Sequence, residues 1–240
     1  MQSPVAPDDA RRTVVRATAV TLAVTGVVTA LSYGLPARHG ASGVGLAFLA
    51  ATFWLALRGD DATVRRFGLA LGGLFDPAPL DPRRLLGDLA RAAALALAVS
   101  AVTFPPFVVG WVLWWRPAGH FALALPPSLG DELLGQLLVV ALPEEAFYRG
   151  WLLGRLDEAW SPRVRLLGAR LGPGVLLSSA LFALGHLATD PHPARLAVFF
   201  PALLFAWMRA RSGGIGAAVL FHAACNVLSA TLARSYGLAR

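Results

Sequence analysis

Three charged side chains stand in ALPEEAFYRG, residues 141–150, directly after the apolar run DELLGQLLVVALP. They are Glu144, Glu145 and Arg149. Carrying a bare carboxylate or guanidinium into hydrocarbon is unfavourable by roughly 2.5–3.5 kcal/mol per group on insertion scales, so a helix that holds three holds them for a reason. Glu145 and Arg149 are four residues apart and can neutralise each other along one helix face. Glu144 is left without a partner in its own helix. Two further apolar runs carry polar residues: His186 in LLSSALFALGHLATD, and His222 with Asn226 in AAVLFHAACNVLSA. The last two are also four apart and share a helix face. Taken singly, each reads as an interhelical hydrogen bond worth about 0.6 kcal/mol. Taken together, a carboxylate, a histidine, and a histidine with an amide supply a base, a proton carrier and oxyanion donors, the set that hydrolysis requires.

The elements that must position these groups are membrane spans. The chain has 240 residues, 56% of them hydrophobic and 15% charged, which is too apolar for an ordinary soluble domain. About 20 mostly apolar residues cross a bilayer. Seven windows meet that description, roughly 14–35, 41–57, 89–115, 133–155, 173–189, 194–208 and 214–233. The expected fold class is therefore all-α, a polytopic transmembrane bundle of about seven spans. The first window is too long for a removed signal peptide and reads as a span. The third contains Pro105 and Pro106 and should bend or break there. Residues 58–88 form the one substantial loop, in which TVRRFGLALGGLF has the pattern of an amphipathic helix lying along the interface. No internal repeat is evident.

A net charge of +7 would suggest nucleic acid in a soluble protein, but here topology accounts for it and no nucleic-acid partner is expected. All 21 basic residues are arginine. With the amino terminus in the cytoplasm, fifteen fall on the cytoplasmic side and five outside, at 38, 116, 195, 234 and 240; Arg149 lies within the membrane. That asymmetry fits the positive-inside rule. Trp111, Trp114 and Trp115 form an interfacial belt on the outer side. The single cysteine, Cys225, cannot form an internal disulfide and reads as a small apolar residue.

EEAFYR, FALGH and HAACN resemble the three motifs of the CPBP family, the CAAX proteases and bacteriocin-processing enzymes also called Abi proteins: Glu-Glu-x-x-x-Arg, Phe-x-x-x-His and His-x-x-x-Asn. The resemblance covers about residues 130–232. Three motifs in order on three expected helices are specific where one would not be. What it implies is a single integral-membrane domain, with spans and an interfacial loop over 1–128 and a catalytic core over 129–233. It also implies a glutamic-type intramembrane endopeptidase with no cofactor. Glu144 would be the general base, His186 would orient and deprotonate the water, and His222 with Asn226 would hold the oxyanion. Glu145 and Arg149 would fix the helix geometry. The alternative is a Zn-dependent CAAX-type prenyl protease in which Glu144, His186 and His222 hold Zn²⁺ with one position open for water; Asn226 is a poor zinc ligand and a good oxyanion donor. The implied partners are the lipid bilayer and a membrane-anchored protein or peptide substrate. Arginine-only basic usage and abundant alanine point to a GC-rich bacterium and its inner membrane. They bring forward the family's myxosortase-like branch, which trims carboxyl-terminal sorting tails. The rival outside enzymology is an immunity or scaffold protein whose polar residues only lock helices together. A proton-relay transporter would show repeated halves.

Overall fold

Helix starts follow local capping chemistry in the computed structural model, which describes residues 6–74 and 80–238. Helix α1 (Pro7–Gly34) opens on a proline, with Asp8 and Asp9 in its first turn against the positive end of the dipole. Pro36 then forces a break before α2 (Ala37–Leu57). The Asp60 carboxylate accepts from Thr63 N at 2.8 Å to start α3 (Asp61–Arg66). Asp81 likewise accepts from Arg83 N at 2.9 Å ahead of α4 (Pro82–Trp115). Ser128 caps α5 (129–159), its hydroxyl accepting from Asp131 N at 3.3 Å. A short hairpin, β1 (Val164–Leu166) and β2 (Ala169–Leu171), leads into α6 (Gly174–Thr189). Helix α7 (Pro193–Ser212) ends at Gly213, whose φ of 77° no other residue adopts cheaply, and α8 (Gly216–Ser235) follows.

The result is an all-α membrane bundle. Among the described residues α1, α2, α4, α7 and α8 are long and apolar enough to cross a membrane, and α6 is a shorter apolar helix. The window 133–155 lies inside α5, which is one unbroken helix containing two π-helical stretches, Gly135–Ala141 and Ala146–Leu152. Phe147, Leu152, Phe182, Phe205, Met208 and Phe221 form the centre of the core.

Two expectations need correction. The described part of that segment, 63–74, is not an interfacial amphipathic helix. It makes only α3 and a short turn at Leu71–Gly73, and Val64, Phe67 and Leu69 are buried in the core against the end of the bundle, where apolar burial outweighs helix continuity. Residues 75–79 of that loop, and Arg240, lie outside the described residues. Nor is α4 broken by Pro105 and Pro106. A membrane helix tolerates prolines, which here remove the intrahelical donors of the Ala101 and Val102 carbonyls without ending α4.

The two ends of the bundle differ. At one, Arg209 pairs with Asp157 at 3.3 Å and donates to the Arg66 carbonyl at 3.1 Å, Arg66 reaches Glu158 at 3.1 Å, and Ile215 N donates to the Gly68 carbonyl at 3.1 Å. At the other, Trp111 stacks on Tyr236 at 5.7 Å, Trp115 stacks on His192 at 6.2 Å, and Ala122 N donates to the Ser235 carbonyl at 3.0 Å.

Candidate active site

Helix α5 turns the charges of its middle turns, Glu144, Glu145 and Arg149, inward. Arg149 and Glu145 are both 0% exposed and joined Nη1 to Oε1 at 3.0 Å, the ion pair that their spacing suggests. The guanidinium also donates to the Ala202 carbonyl of α7 at 3.3 Å and lies over the Phe182 ring at 4.2 Å, so its charge is met on several sides. Glu145 is not occupied by Arg149 alone. Its Oε1 also accepts from His222 Nδ1 at 2.9 Å, a bond from α8 that joins residues 77 apart in the chain. The His222 ring stacks on Phe205 at 4.8 Å, which with the Glu145 bond fixes its plane.

Glu144 points the other way, into a cavity. It is 12% exposed, and its Oε2 has no hydrogen-bond partner among the described residues. His186 Nε2 of α6 lies 4.0 Å away and His222 Nε2 lies 3.9 Å away. These separations are too long for direct hydrogen bonds and suit one bridging water. The tautomers follow from the other ring nitrogens. His186 Nδ1 sits 3.1 Å from the Phe182 carbonyl, which can only accept, so Nδ1 carries the proton and a neutral ring presents a bare Nε2. The Glu145 contact imposes the same tautomer on His222. The space beside His186 depends on Gly185, since a Cβ there would stand 2.9 Å from the Tyr148 hydroxyl.

Asn226, one turn beyond His222, donates Nδ2 to Gln136 Oε1 at 2.9 Å. Gln136 lies in the expected span 133–155, yet its neutral amide was not among the groups singled out from the sequence. At 3.6 residues per turn, two residues eight apart are about 80° out of line. The wider turns of the π-helical stretch at Gly135–Ala141 take up that difference, and Gln136 and Glu144 line the same cavity. The signal that could have found it is a carboxamide inside a span whose glutamates already mark it as functional.

The cavity has a volume of about 1880 Å³ and extends from Glu144, His186, His222 and Asn226 to Trp111, Trp114, Trp115 and Arg195 at the end remote from the Arg209–Asp157 pair. It is larger than a usual small-molecule site and mainly apolar in lining. A tetrahedral zinc ion would hold nitrogen and oxygen donors about 3.3 Å apart. The Glu144, His186 and His222 atoms stand wider than that, and among the described residues no group of three metal-ligating side chains converges closely enough to hold a metal. As placed, they do not fit a zinc ion, and no step below is routed through one.

Residues 129–228 match the family model described as type II CAAX prenyl endopeptidase Rce1-like. No curated protein and no solved structure matches the chain. The matched segment runs from the start of α5 to the turn of α8 after Asn226, and so contains every polar side chain just described.

Proposed function

From the premise that the chain carries an Rce1-like domain of the CPBP family at 129–228, which implies CAAX-type intramembrane protease activity, we propose a metal-free hydrolysis in which Glu144 activates water. The observation that carries this reading is the position of Glu144 Oε2, without a hydrogen bond and 3.9–4.0 Å from two imidazole nitrogens. A water between them donates one proton to the carboxylate and another to a bare Nε2. As its oxygen adds to the scissile carbonyl, Glu144 takes the first proton. Glu144 passes that proton on to His222 Nε2, and His222, held by Glu145, joins the free Nδ2–H of Asn226 in donating to the oxyanion. The Glu145–His222 couple is the carboxylate–imidazole arrangement that stabilises an imidazolium in other hydrolases. Collapse of the tetrahedral intermediate breaks the carbon–nitrogen bond, and the same proton returns from His222 by way of Glu144 to the leaving amine. The hydroxyl from water stays on the new carboxyl, so the atoms balance.

The substrate in this reading is a membrane-anchored protein. Its site opens toward the tryptophan end of the bundle, away from the Arg209–Asp157 pair. With the amino terminus cytoplasmic that end faces outward, which favours exported, membrane-tethered proteins and the trimming of a carboxyl-terminal tail. The test compares membranes that lack the chain with membranes that carry wild type, Glu144→Gln, His186→Ala or Asn226→Ala. An uncleaved precursor should accumulate in the null and with the first two variants, while Asn226→Ala retains about 10⁻² to 10⁻³ of the rate. Processing by Glu144→Gln at the wild-type rate refutes the base assignment. Purified enzyme should also keep its turnover through exhaustive chelation; loss restored by added Zn²⁺ reassigns Glu144, His186 and His222 as metal ligands.

A further inference from the structure

Away from the cavity, an unusual backbone conformation lies at the tip of the β1–β2 hairpin. The strands pair antiparallel, Arg165 opposite Arg170 and Leu166 opposite Ala169, around the two-residue turn Leu167–Gly168 with φ of 46° and 81°. Turns with two positive φ angles favour Asn-Gly or Asp-Gly. Gly168 meets the demand, and a Cβ there would collide with the Arg211 guanidinium. A leucine in the left-handed region is strained. Leu167 is nonetheless 78% exposed, with Val164 and Leu166 exposed beside it. In water such a residue would be unfavourable twice over, for its backbone and for its side chain.

The height of the hairpin resolves the conflict. Trp207 Nε1 of α7 donates to the Leu166 carbonyl at 3.0 Å. Trp207 precedes the end of α7 by five residues, about 7.5 Å. The hairpin is thus folded back along α7 to the depth of an indole, where tryptophan marks the membrane–water boundary. Arg163, Arg165 and Arg170 on the hairpin and Arg211 beside it are exposed and form no ion pair among the described residues. The nearest acids, Asp157 and Glu158, are taken by Arg209, Arg66 and Arg155.

We propose that the hairpin 163–171 binds anionic phospholipid: Leu167, Val164 and Leu166 enter the acyl boundary of the leaflet, and Arg163, Arg165 and Arg170 engage headgroup phosphates. Nucleic acid or an acidic protein would match the arginines and leave the leucine tip in water. Only the edge of a bilayer satisfies both halves. The hairpin also joins the helix that carries Glu144 to the helix that carries His186, so a lipid bound here holds the link between two arms of the site.

The experiment uses the full chain with Cys225→Ala and Leu167→Cys, labelled with an environment-sensitive dye, in nanodiscs of phosphatidylcholine and phosphatidylglycerol with a shallow spin label on one lipid or the other. Its readout is independent of proteolysis. Dye emission should shift to the blue, and the label borne on phosphatidylglycerol should quench it more than the label on phosphatidylcholine. Replacing Arg163, Arg165 and Arg170 by Gln should lower that preference by roughly fivefold per arginine. Emission at the aqueous wavelength, unquenched by either lipid, overturns the proposal and points to a soluble partner. Equal quenching by both labels, unchanged in the arginine variant, overturns anionic recognition. If Leu167→Cys does not fold, Val164→Cys gives the same readout from the flank of the same surface.

Discussion

At the scale of single residues, Gln136 deserves a test of its own because it touches no reacting atom in the mechanism above. It positions Asn226 by accepting one of the two amide protons at 2.9 Å, leaving the other for the oxyanion. Gln136→Leu is expected to lower kcat about tenfold or more with KM little changed, since a donor that tightens in the transition state is loosened. Gln136→Glu, which still accepts, should recover most of the rate. In an Asn226→Ala background Gln136→Leu should have no further effect; additive losses would mean that the bond only supports packing. Arg149 is a different case. Arg149→Ala leaves the Glu145 carboxylate buried with one donor fewer, a loss of about 3–5 kcal/mol. Normal accumulation with unchanged thermal stability would show the pair to be dispensable. The charges at 144, 145 and 149 were legible from the sequence because hydrocarbon makes each one improbable. The second role of Glu145 was not, because its bond to His222 joins two helices and has no spacing signature.

At the scale of elements, π-helical turns and a buried ion pair decide how α5 is set. Neither turn could be read from the sequence, since the widened ladder is imposed by packing against α2 and α8 and leaves the apolar pattern intact. Below them, Asp157 anchors the end of α5 to Arg209 at 3.3 Å. Burial pushes the Asp157 carboxyl up to about 6 from an ordinary 3.8, with Arg209 pulling the other way. A folded value above the unfolded one means that protonation favours the folded state. The contribution of this group is therefore complete below about pH 4 and is lost as pH rises through about 6. Thermal stability in nanodiscs should decline across that window, and Asp157→Asn should flatten the decline. A profile unaffected by the substitution would place the pH dependence elsewhere. The loop between α2 and α4 was misjudged for a related reason: Phe67 and Leu69 have the same apolar pattern whether they face lipid or a bundle end, and only tertiary contact chooses.

At the scale of the whole molecule, hydropathy alone specified an all-α membrane bundle, and three short motifs located the domain that the family comparison assigns to 129–228. The first half of the chain offered only apolarity, because helices such as α4, which packs chiefly against α8, carry little that distinguishes one membrane helix from another. Sidedness is testable directly. Reporters active in one compartment, fused after Arg84 and after Arg116, should place the first in the cytoplasm and the second outside; the reverse result would invert both the orientation and the face to which the site opens. One further consequence follows from the Glu145 carboxylate, which holds Arg149 from its own helix and His222 from a helix 77 residues further along. At about 5–20 residues per second, those 77 residues take roughly 4–15 s to synthesise. During that interval the nascent chain contains Glu144, Glu145 and Arg149 but not His222. A chain halted in that interval holds the Glu145 carboxylate with Arg149 beside it and without its second partner.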